Sequence, residues 1–181
     1  MAVAITIEQI RAAENDKALF DLLSGELERL LPEEKQEDRD WYYKTLETLP
    51  RGLRAMAGMH FFDVSMSLDD LAWHFGNQNE DRDLRETLNG LRELELFEIA
   101  DRFEKAWGLM EPHFEAIRSG EVNSRNFYDW LEQIGADKKF DPMNDFIWDY
   151  CKQAGDLGLL SSWPVYARKY PERCIVAGPH P

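Results

Sequence analysis

Apolar residues recur every three or four positions along most of the chain, which is the period of an α-helix that buries one face. The clearest series is Leu53, Met56, Ala57, His60 and Phe61. A second series runs over residues 99–110, and a third over residues 146–154. The alternation typical of strands is confined to "AVAITI" near the start and "CIVAG" near the end. The pattern therefore predicts an all-α fold of about seven or eight helices.

Helix boundaries and linker composition indicate one compact domain. Asp141 and Pro142 have the cap-then-proline order of a helix start, and Gly155 supplies the matching stop. No internal repeat or low-complexity tract interrupts residues 1–170, which we expect to form a single helical domain. The segment "PERCIVAGPHP" has the composition of a loose C-terminal tail, so residues 171–181 are expected to lie outside the core.

The segment "SLDDLAWHFGN", residues 67–77, places a histidine close to carboxylates. Ser67 and Asp70 have the spacing of a capping box, which predicts a helix that begins at Leu68. On that helix Asp70 and His74 are neighbours one turn apart, at the edge of the apolar face. A carboxylate that orients an imidazole could transfer protons in a small hydrolase. We favour a surface pair without catalysis, because no nucleophile or third group accompanies the two residues.

Composition restricts the chemistry further. The chain is 44% hydrophobic and 12% aromatic, which is typical of a globular protein. Its two cysteines, Cys151 and Cys174, form no CxxC motif, and its four histidines have no metal-ligand spacing. No phosphate-binding glycine loop and no nucleophile elbow is present. We therefore expect no cofactor, no metal and no enzymatic activity. The lack of a signal sequence or an 18-residue apolar run predicts a cytoplasmic location.

Charge is the strongest functional signal. The 181 residues include 35 acidic and 21 basic side chains, a formal net charge of −14. Such a balance opposes direct binding to nucleic acid or to anionic membranes and favours a basic protein partner. Residues 61–120 have a net charge of −8, against −4 for residues 1–60 and −2 for residues 121–181.

The acidic side chains of this middle third are the candidate partner-binding surface. On a helix, carboxylates three or four residues apart lie about 5–6 Å from each other, so a helix pair edged with them can imitate a row of phosphates. The candidates are Glu80, Asp81, Asp83, Glu86, Glu93, Glu98, Asp101 and Glu104. The alternative is a solvated face on which arginines form local ion pairs; these arginines are Arg82, Arg85, Arg92 and Arg102.

The segments "LPRGLRAMAGMHFFDVSMSLDDLAWHFGN" and "ETLNGLRELELFEIADRFEKAWGLM" resemble a family of small, acidic, all-helical bacterial proteins, the DNA-mimic-like domain. The matching positions are Leu49-Pro50, Leu53-Arg54-Ala55, Asp63, residues 73–77, 86–91 and 100–106, within a core of about residues 46–112. Where relatives carry a Gly-Gly pair before the aromatic segment, this chain has Asp70-Leu71. The resemblance implies packing and turn roles for Trp73, Phe75 and Asn77. It implies no catalytic residue, and it implies binding by imitation of DNA.

These observations favour an acidic, non-catalytic binding protein that acts as a DNA mimic and occupies the basic surface of a DNA-binding regulator or nuclease. One alternative is an immunity or antitoxin-like protein that neutralises a basic toxin by the same electrostatics. Another is the small hydrolase that would use Asp70 and His74. No direct contact with nucleic acid or membrane is expected, and a homodimer is left open.

Overall fold

The computed structural model describes residues 4–176, and every regular element within them is helical. The longer helices are α2 (Asp16–Leu30), α4 (Arg39–Thr48), α5 (Arg51–Leu68), α6 (Leu71–Asn77), α7 (Asp81–Glu93), α8 (Phe97–Met110), α10 (Phe127–Gln133), α11 (Asp137–Ala154) and α12 (Ser162–Lys169). Shorter helices are α1 (Ile7–Ala12), α3 (Glu33–Gln36) and α9 (Phe114–Arg118), and 3₁₀ turns lie at Glu111–His113, Gly155–Ser161 and Pro171–Arg173. The all-α prediction is confirmed.

Helix α5 lies at the centre of the fold. It contacts α2, α4, α6, α7, α11 and α12, and ten of its 18 residues are buried. Its buried residues are distributed over nearly every side, as expected of a helix that is covered all round. Within the predicted series, Leu53, Met56 and Ala57 are buried, while His60 and Phe61 lie at the rim of a pocket. The other helices therefore pack around α5.

Two glycines bring α5 and α7 into backbone contact. A Cβ atom on Gly90 of α7 would lie 2.6 Å from the carbonyl oxygen of Ala55, and one on Gly58 of α5 would lie 2.7 Å from that of Glu86. The Thr87 hydroxyl donates a hydrogen bond of 3.0 Å to the Gly58 carbonyl across the same contact. Because both crossing points lack side chains, the helices approach more closely than a pair with larger residues could.

The corner between α5 and α6 differs from the prediction. Helix α5 continues through Leu68, and Asp70 caps the next helix by accepting a 2.8 Å hydrogen bond from the Trp73 N–H. The predicted helix start at Leu68, with Ser67 as its cap, is therefore wrong. The physical reason is that the apolar face of α5 continues to Met66, which is buried, so packing extends the helix beyond the capping signal.

Helix α11 begins earlier than predicted and keeps a proline in its interior. It starts at Asp137, so the predicted start at Asp141 is wrong, and Pro142 lies inside the helix. A proline there cannot donate a hydrogen bond to the carbonyl of Lys138. Both residues are exposed, so water can take the place of the missing donor. The predicted end is confirmed, because Gly155 adopts a φ of +80° directly after the helix.

The expected loose tail is in part packed against the core. Residues Pro171–Arg173 form a 3₁₀ turn, and Cys174 is fully buried. The sulfur of Cys174 lies so close to Gly52 of α5 that a Cβ atom there would be 2.7 Å away. The segment up to residue 176 thus belongs to the domain, while residues 177–181 of the expected tail lie outside the described residues.

Candidate functional site

The eight predicted carboxylates point in two directions. The side chains of Asp83, Glu86 and Glu93 are only 10–12% exposed and face neighbouring helices. The other five, Glu80, Asp81, Glu98, Asp101 and Glu104, are exposed to solvent. The structure therefore does not bring the eight residues together on one surface.

Glu86 holds α7 against α5. Its two carboxylate oxygens accept hydrogen bonds of 2.9 and 2.6 Å from the guanidinium of Arg54. This two-bond geometry is the strongest form of an arginine–carboxylate contact. The hydrogen bond to Glu86 raises the pKa of Arg54 above its ordinary value. A residue engaged in this way stabilises the fold and presents little charge to a partner.

Asp83 and Glu93 hold other parts of the chain to α7. Asp83 accepts hydrogen bonds from Arg39 and from the Tyr43 hydroxyl, both on α4. Burial raises the pKa of Tyr43, and the bond to Asp83 raises it further. Glu93 pairs with Arg51 of α5, and it also binds Arg173 and the Tyr166 hydroxyl from the C-terminal part of the chain. The three partly buried carboxylates, Asp83, Glu86 and Glu93, therefore join α7 to other parts of the fold.

Most of the outward carboxylates also have arginine partners. Glu104 lies 2.8 Å from Arg92, and Glu98 lies 3.7 Å from Arg102. At the start of α7, the Arg118 guanidinium lies 3.9 Å from Glu80 and 3.5 Å from Asp81. Asp101 is the one member of the predicted set for which the described residues provide no ion pair. Of the four arginines in the alternative, Arg92 and Arg102 thus pair with predicted carboxylates, and Arg82 pairs with Glu47 instead. The fourth, Arg85, makes no ion pair within residues 4–176.

A second group of carboxylates, outside the predicted set, lies at the corner where α5 meets α6. Asp69 accepts a 2.6 Å hydrogen bond from the Tyr128 hydroxyl. Burial raises the pKa of Asp70, and the nearby charges of Asp69 and Asp141 raise it further. None of these three carboxylates has a lysine or arginine within ion-pair distance among residues 4–176. We call this surface, with Leu68 and Tyr128, the α5–α6 corner.

The corner also exposes apolar surface. Leu68 is 71% exposed, although leucine is usually buried, and Tyr128 is 49% exposed. Tyrosine at an exposed position surrounded by charged residues is typical of the central residues of protein interfaces. Asp141 continues into a row along α11, because Asp137, Asp141, Asp145 and Asp149 follow one another at four-residue spacing. That spacing, readable in the sequence, would have indicated the acidic row.

His74 lies in the core, contrary to the prediction that it sits at the edge of the apolar face. It is fully buried, its ring packs edge-on against Phe62, and its Nδ1 lies 2.9 Å from the Ser65 hydroxyl oxygen. Since Ser65 donates its own proton to the Phe61 carbonyl, we assign the Nδ1 proton to His74. Burial lowers the pKa of His74 to about 3.

The Asp70–His74 pair expected from the sequence is therefore absent. Asp70 uses its carboxylate to cap α6 at Trp73, and His74 turns to Ser65 in the interior. A neutral, fully buried imidazole has no contact with solvent through which a substrate could reach it. The hydrolase alternative depended on contact between Asp70 and His74, and the structure does not show that contact.

A half-buried carboxylate, Asp63, lies where α5 meets α11 and the Gly155–Ser161 turn. Burial raises the pKa of Asp63 to about 6, against the opposing effect of a hydrogen bond from the Leu159 N–H. Burial also raises the pKa of the Cys151 thiol, and the charge of Asp63 raises it further. A thiol in this setting stays protonated at neutral pH and is a poor nucleophile.

Comparison with protein-family models, curated proteins and solved structures found no match to the chain. The resemblance to the DNA-mimic-like family thus stays a prediction from the motifs. Of the positions that it implied, Phe75 is fully buried, and the Asn77 side chain donates a 2.8 Å hydrogen bond to the Trp73 carbonyl. Within residues 4–176, no helix has the length and apolar character needed to cross a membrane, and no three potential ligand side chains are arranged to hold a metal ion.

Proposed function

We propose that this protein is an acidic, non-catalytic binding protein that occupies the DNA-binding surface of a basic protein. We place the partner's contact at the α5–α6 corner, with the exposed carboxylates of α8 adding to the attracting field. The observation that carries the proposal is the presence of unpaired carboxylates around the exposed Leu68 and Tyr128.

The charge that remains after internal pairing supports a basic partner. Ion pairs among the described residues engage 14 of the 35 acidic side chains and 13 of the 21 basic ones. The ion pairs thus engage nearly equal numbers of acidic and basic side chains. The net negative charge therefore remains on carboxylates that have no ion-pair partner. An excess of this kind attracts cationic partners over a Debye length of about 8–10 Å.

The composition of the corner supports a protein partner. Carboxylates alone would bind any cation weakly, because each surface ion pair contributes about 0–1 kcal/mol. Leu68 and Tyr128 add apolar contact area that a protein surface can cover. A partner with basic residues around an apolar centre would match both features of the corner.

Affinity capture with DNA competition tests the proposal. The immobilised protein is exposed to extract of its native cell at low salt, and retained proteins are challenged with duplex DNA. We expect retention of a basic protein, its release by DNA, and its loss in the triple variant Leu68→Ser, Asp69→Asn, Asp141→Asn. The variant Glu121→Gln, Asp156→Asn neutralises two exposed, unpaired carboxylates elsewhere and should retain the partner.

Two results would contradict the proposal. A partner that stays bound when duplex DNA is added would support the antitoxin-like alternative instead. If no basic protein is retained above the level seen with the triple variant, the α5–α6 corner is not a binding surface.

A further inference from the structure

A pocket of about 430 Å³ lies between α2, α3, α4, α5 and α12. Its apolar walls come from elements that are distant in sequence: Leu27 from α2 and Leu31 directly after it, Ala57 and Phe61 from α5, and Trp163 from α12. A volume of this size is typical of sites for small molecules. The exposed lining combines apolar and polar groups in about equal measure. None of these residues belongs to the α5–α6 corner.

The polar groups of the pocket are acidic or neutral. Glu28 of α2 and Glu33 of α3 line it, and neither makes an ion pair with another described residue. Partial burial lowers the pKa of His60 below its ordinary value, which disfavours a positive charge on its imidazole. The lining contains no lysine or arginine from residues 4–176. Lys35, on the same short helix as Glu33, instead packs over the ring of Trp41.

We propose that this pocket binds a small organic cation, a primary amine or guanidine carried on an apolar stem. The stem would lie against Phe61, which is only partly buried, and would remove its apolar surface from water. The cationic group would lie between Glu28 and Glu33, which supply negative charge without a competing internal cation. An anionic ligand would meet two carboxylates and no cation, and a neutral one would leave their charge unused.

The test uses phenethylamine as the probe and 2-phenylethanol as its neutral counterpart, which has the same stem. Binding to the wild-type protein is measured by titration in ligand-observed NMR. We expect saturable binding of the amine below about 10 mM and binding of the alcohol that is weaker by at least about threefold. Equal affinity for the two compounds would overturn the proposal of a cation site.

Two variants locate the site. Glu28→Gln with Glu33→Gln should weaken amine binding by at least about threefold and leave the alcohol unaffected. The matched control, Glu8→Gln with Glu14→Gln, removes the same charge from exposed positions outside the pocket and should leave both compounds unaffected.

Filling the pocket provides an independent readout. Ser24 lines the pocket from α2 and is not in the buried core, so Ser24→Leu should fold while its side chain occupies part of the space. Loss of binding of both compounds in this variant is expected. The proposal is overturned if the amine binds the wild type and the control but also binds Ser24→Leu with unchanged affinity, or if the amine shows no saturable binding to the wild type.

Discussion

The guanidinium of Arg54 and the carboxylate of Glu86 meet through two parallel hydrogen bonds, which join α5 to α7 across 32 residues of sequence. Glu86 was among the carboxylates expected to face a partner, and this pairing gives it a structural role. Because the Glu86 side chain is only 12% exposed, loss of its partner would leave a poorly solvated charge.

A double-mutant cycle on this pair should therefore show coupling. We expect Arg54→Met and Glu86→Gln to lower the free energy of unfolding by about 1–2 kcal/mol each, and the double variant to lose less than their sum by about 1 kcal/mol. Urea unfolding of the four proteins measures this. Arg85→Met removes an exposed neighbouring charge and should change stability by less than about 0.5 kcal/mol. Strict additivity would mean that the two side chains are not energetically coupled.

The glycine contact between α5 and α7 makes a second prediction. Gly90→Ala places a Cβ atom 2.6 Å from the backbone oxygen of Ala55, so we expect a loss of about 1–3 kcal/mol in the free energy of unfolding. Gly108→Ala on α8 meets nothing within 4 Å and should stabilise the protein by about 0.5–1 kcal/mol through helix propensity. Thermal unfolding of both variants measures these changes. If the two variants shift the unfolding temperature in the same direction, the close approach of α5 and α7 at Gly90 is contradicted.

Burial of His74 predicts a specific pH dependence of stability. The pKa of His74 is about 3 in the folded protein and about 6.5 in the unfolded chain, so between these values only the unfolded chain binds the proton. Stability should therefore fall as pH decreases from about 6.5. His74→Phe removes this titration, and its urea midpoint should fall less than that of the wild type between pH 7.5 and pH 5. Parallel curves would contradict a buried neutral imidazole.

Truncation of the same side chain should be costly. His74→Ala leaves a cavity beside Phe62 and removes the contact with Ser65, and we expect it to lower the free energy of unfolding by about 2–4 kcal/mol. The comparison is His60→Ala, which truncates a histidine at the rim of a pocket and should cost less than about 1 kcal/mol.

Asp63 should have the opposite pH dependence. Its pKa is raised to about 6 in the folded protein, against 3.8 for an aspartate in an unfolded chain, so between these values only the folded protein holds the proton. Stability conferred by this group is therefore lost as pH rises from about 4 to 6. Asp63→Asn should raise the urea midpoint at pH 7.5 and change it little at pH 4. Asp145→Asn, at an exposed position, should leave the urea midpoint unchanged at both pH values. If Asp63→Asn raised the urea midpoint at pH 4 and not at pH 7.5, the predicted pH dependence would be wrong.

The outward carboxylates of α8 should act through long-range attraction rather than direct contact. They project away from the buried Ile99 and Phe103, so Glu98→Gln, Asp101→Asn and Glu104→Gln together should leave thermal stability nearly unchanged. Once a partner is identified, the triple variant should associate with it more slowly, and its association rate should depend less on salt concentration. Its dissociation rate should stay the same. Stopped-flow measurements at two salt concentrations test this. An unchanged association rate would mean that α8 is merely a solvated face.

The sequence predicted the helical fold because periodicity is a local property. Helix α8 has 14 residues, and its apolar positions were sufficient to define the buried side. Helix α6 has seven residues, too few for periodicity to decide where His74 points. Asp70 belongs to the capping-box spacing in the sequence, but that spacing predicts a helix that begins at Leu68. Packing instead extends α5 through Leu68, and Asp70 caps α6.

The candidate surface was harder to predict, since the number of charges in a segment does not reveal which of them have partners. Arg39, Arg51 and Arg173 approach carboxylates of α7 from positions that are 42 to 80 residues away. No local pattern encodes those encounters, which follow from the packing of α4, α5 and the C-terminal turn on α7. The α5–α6 corner escaped prediction for the same reason, because Tyr128 reaches Asp69 across 59 residues.

The burial of Cys174 against Gly52 has a consequence for synthesis. The last described segment and α12 contact α1, α2 and α5, elements that leave the ribosome before them. Until the residues of α12 have emerged, the buried face of α2 lacks the cover that α12 provides, although α5 and the Gly155–Ser161 turn also contact it. We therefore expect a chain that stops before α12 to leave part of the α2 face exposed to water, although every residue of the α5–α6 corner would be present in it.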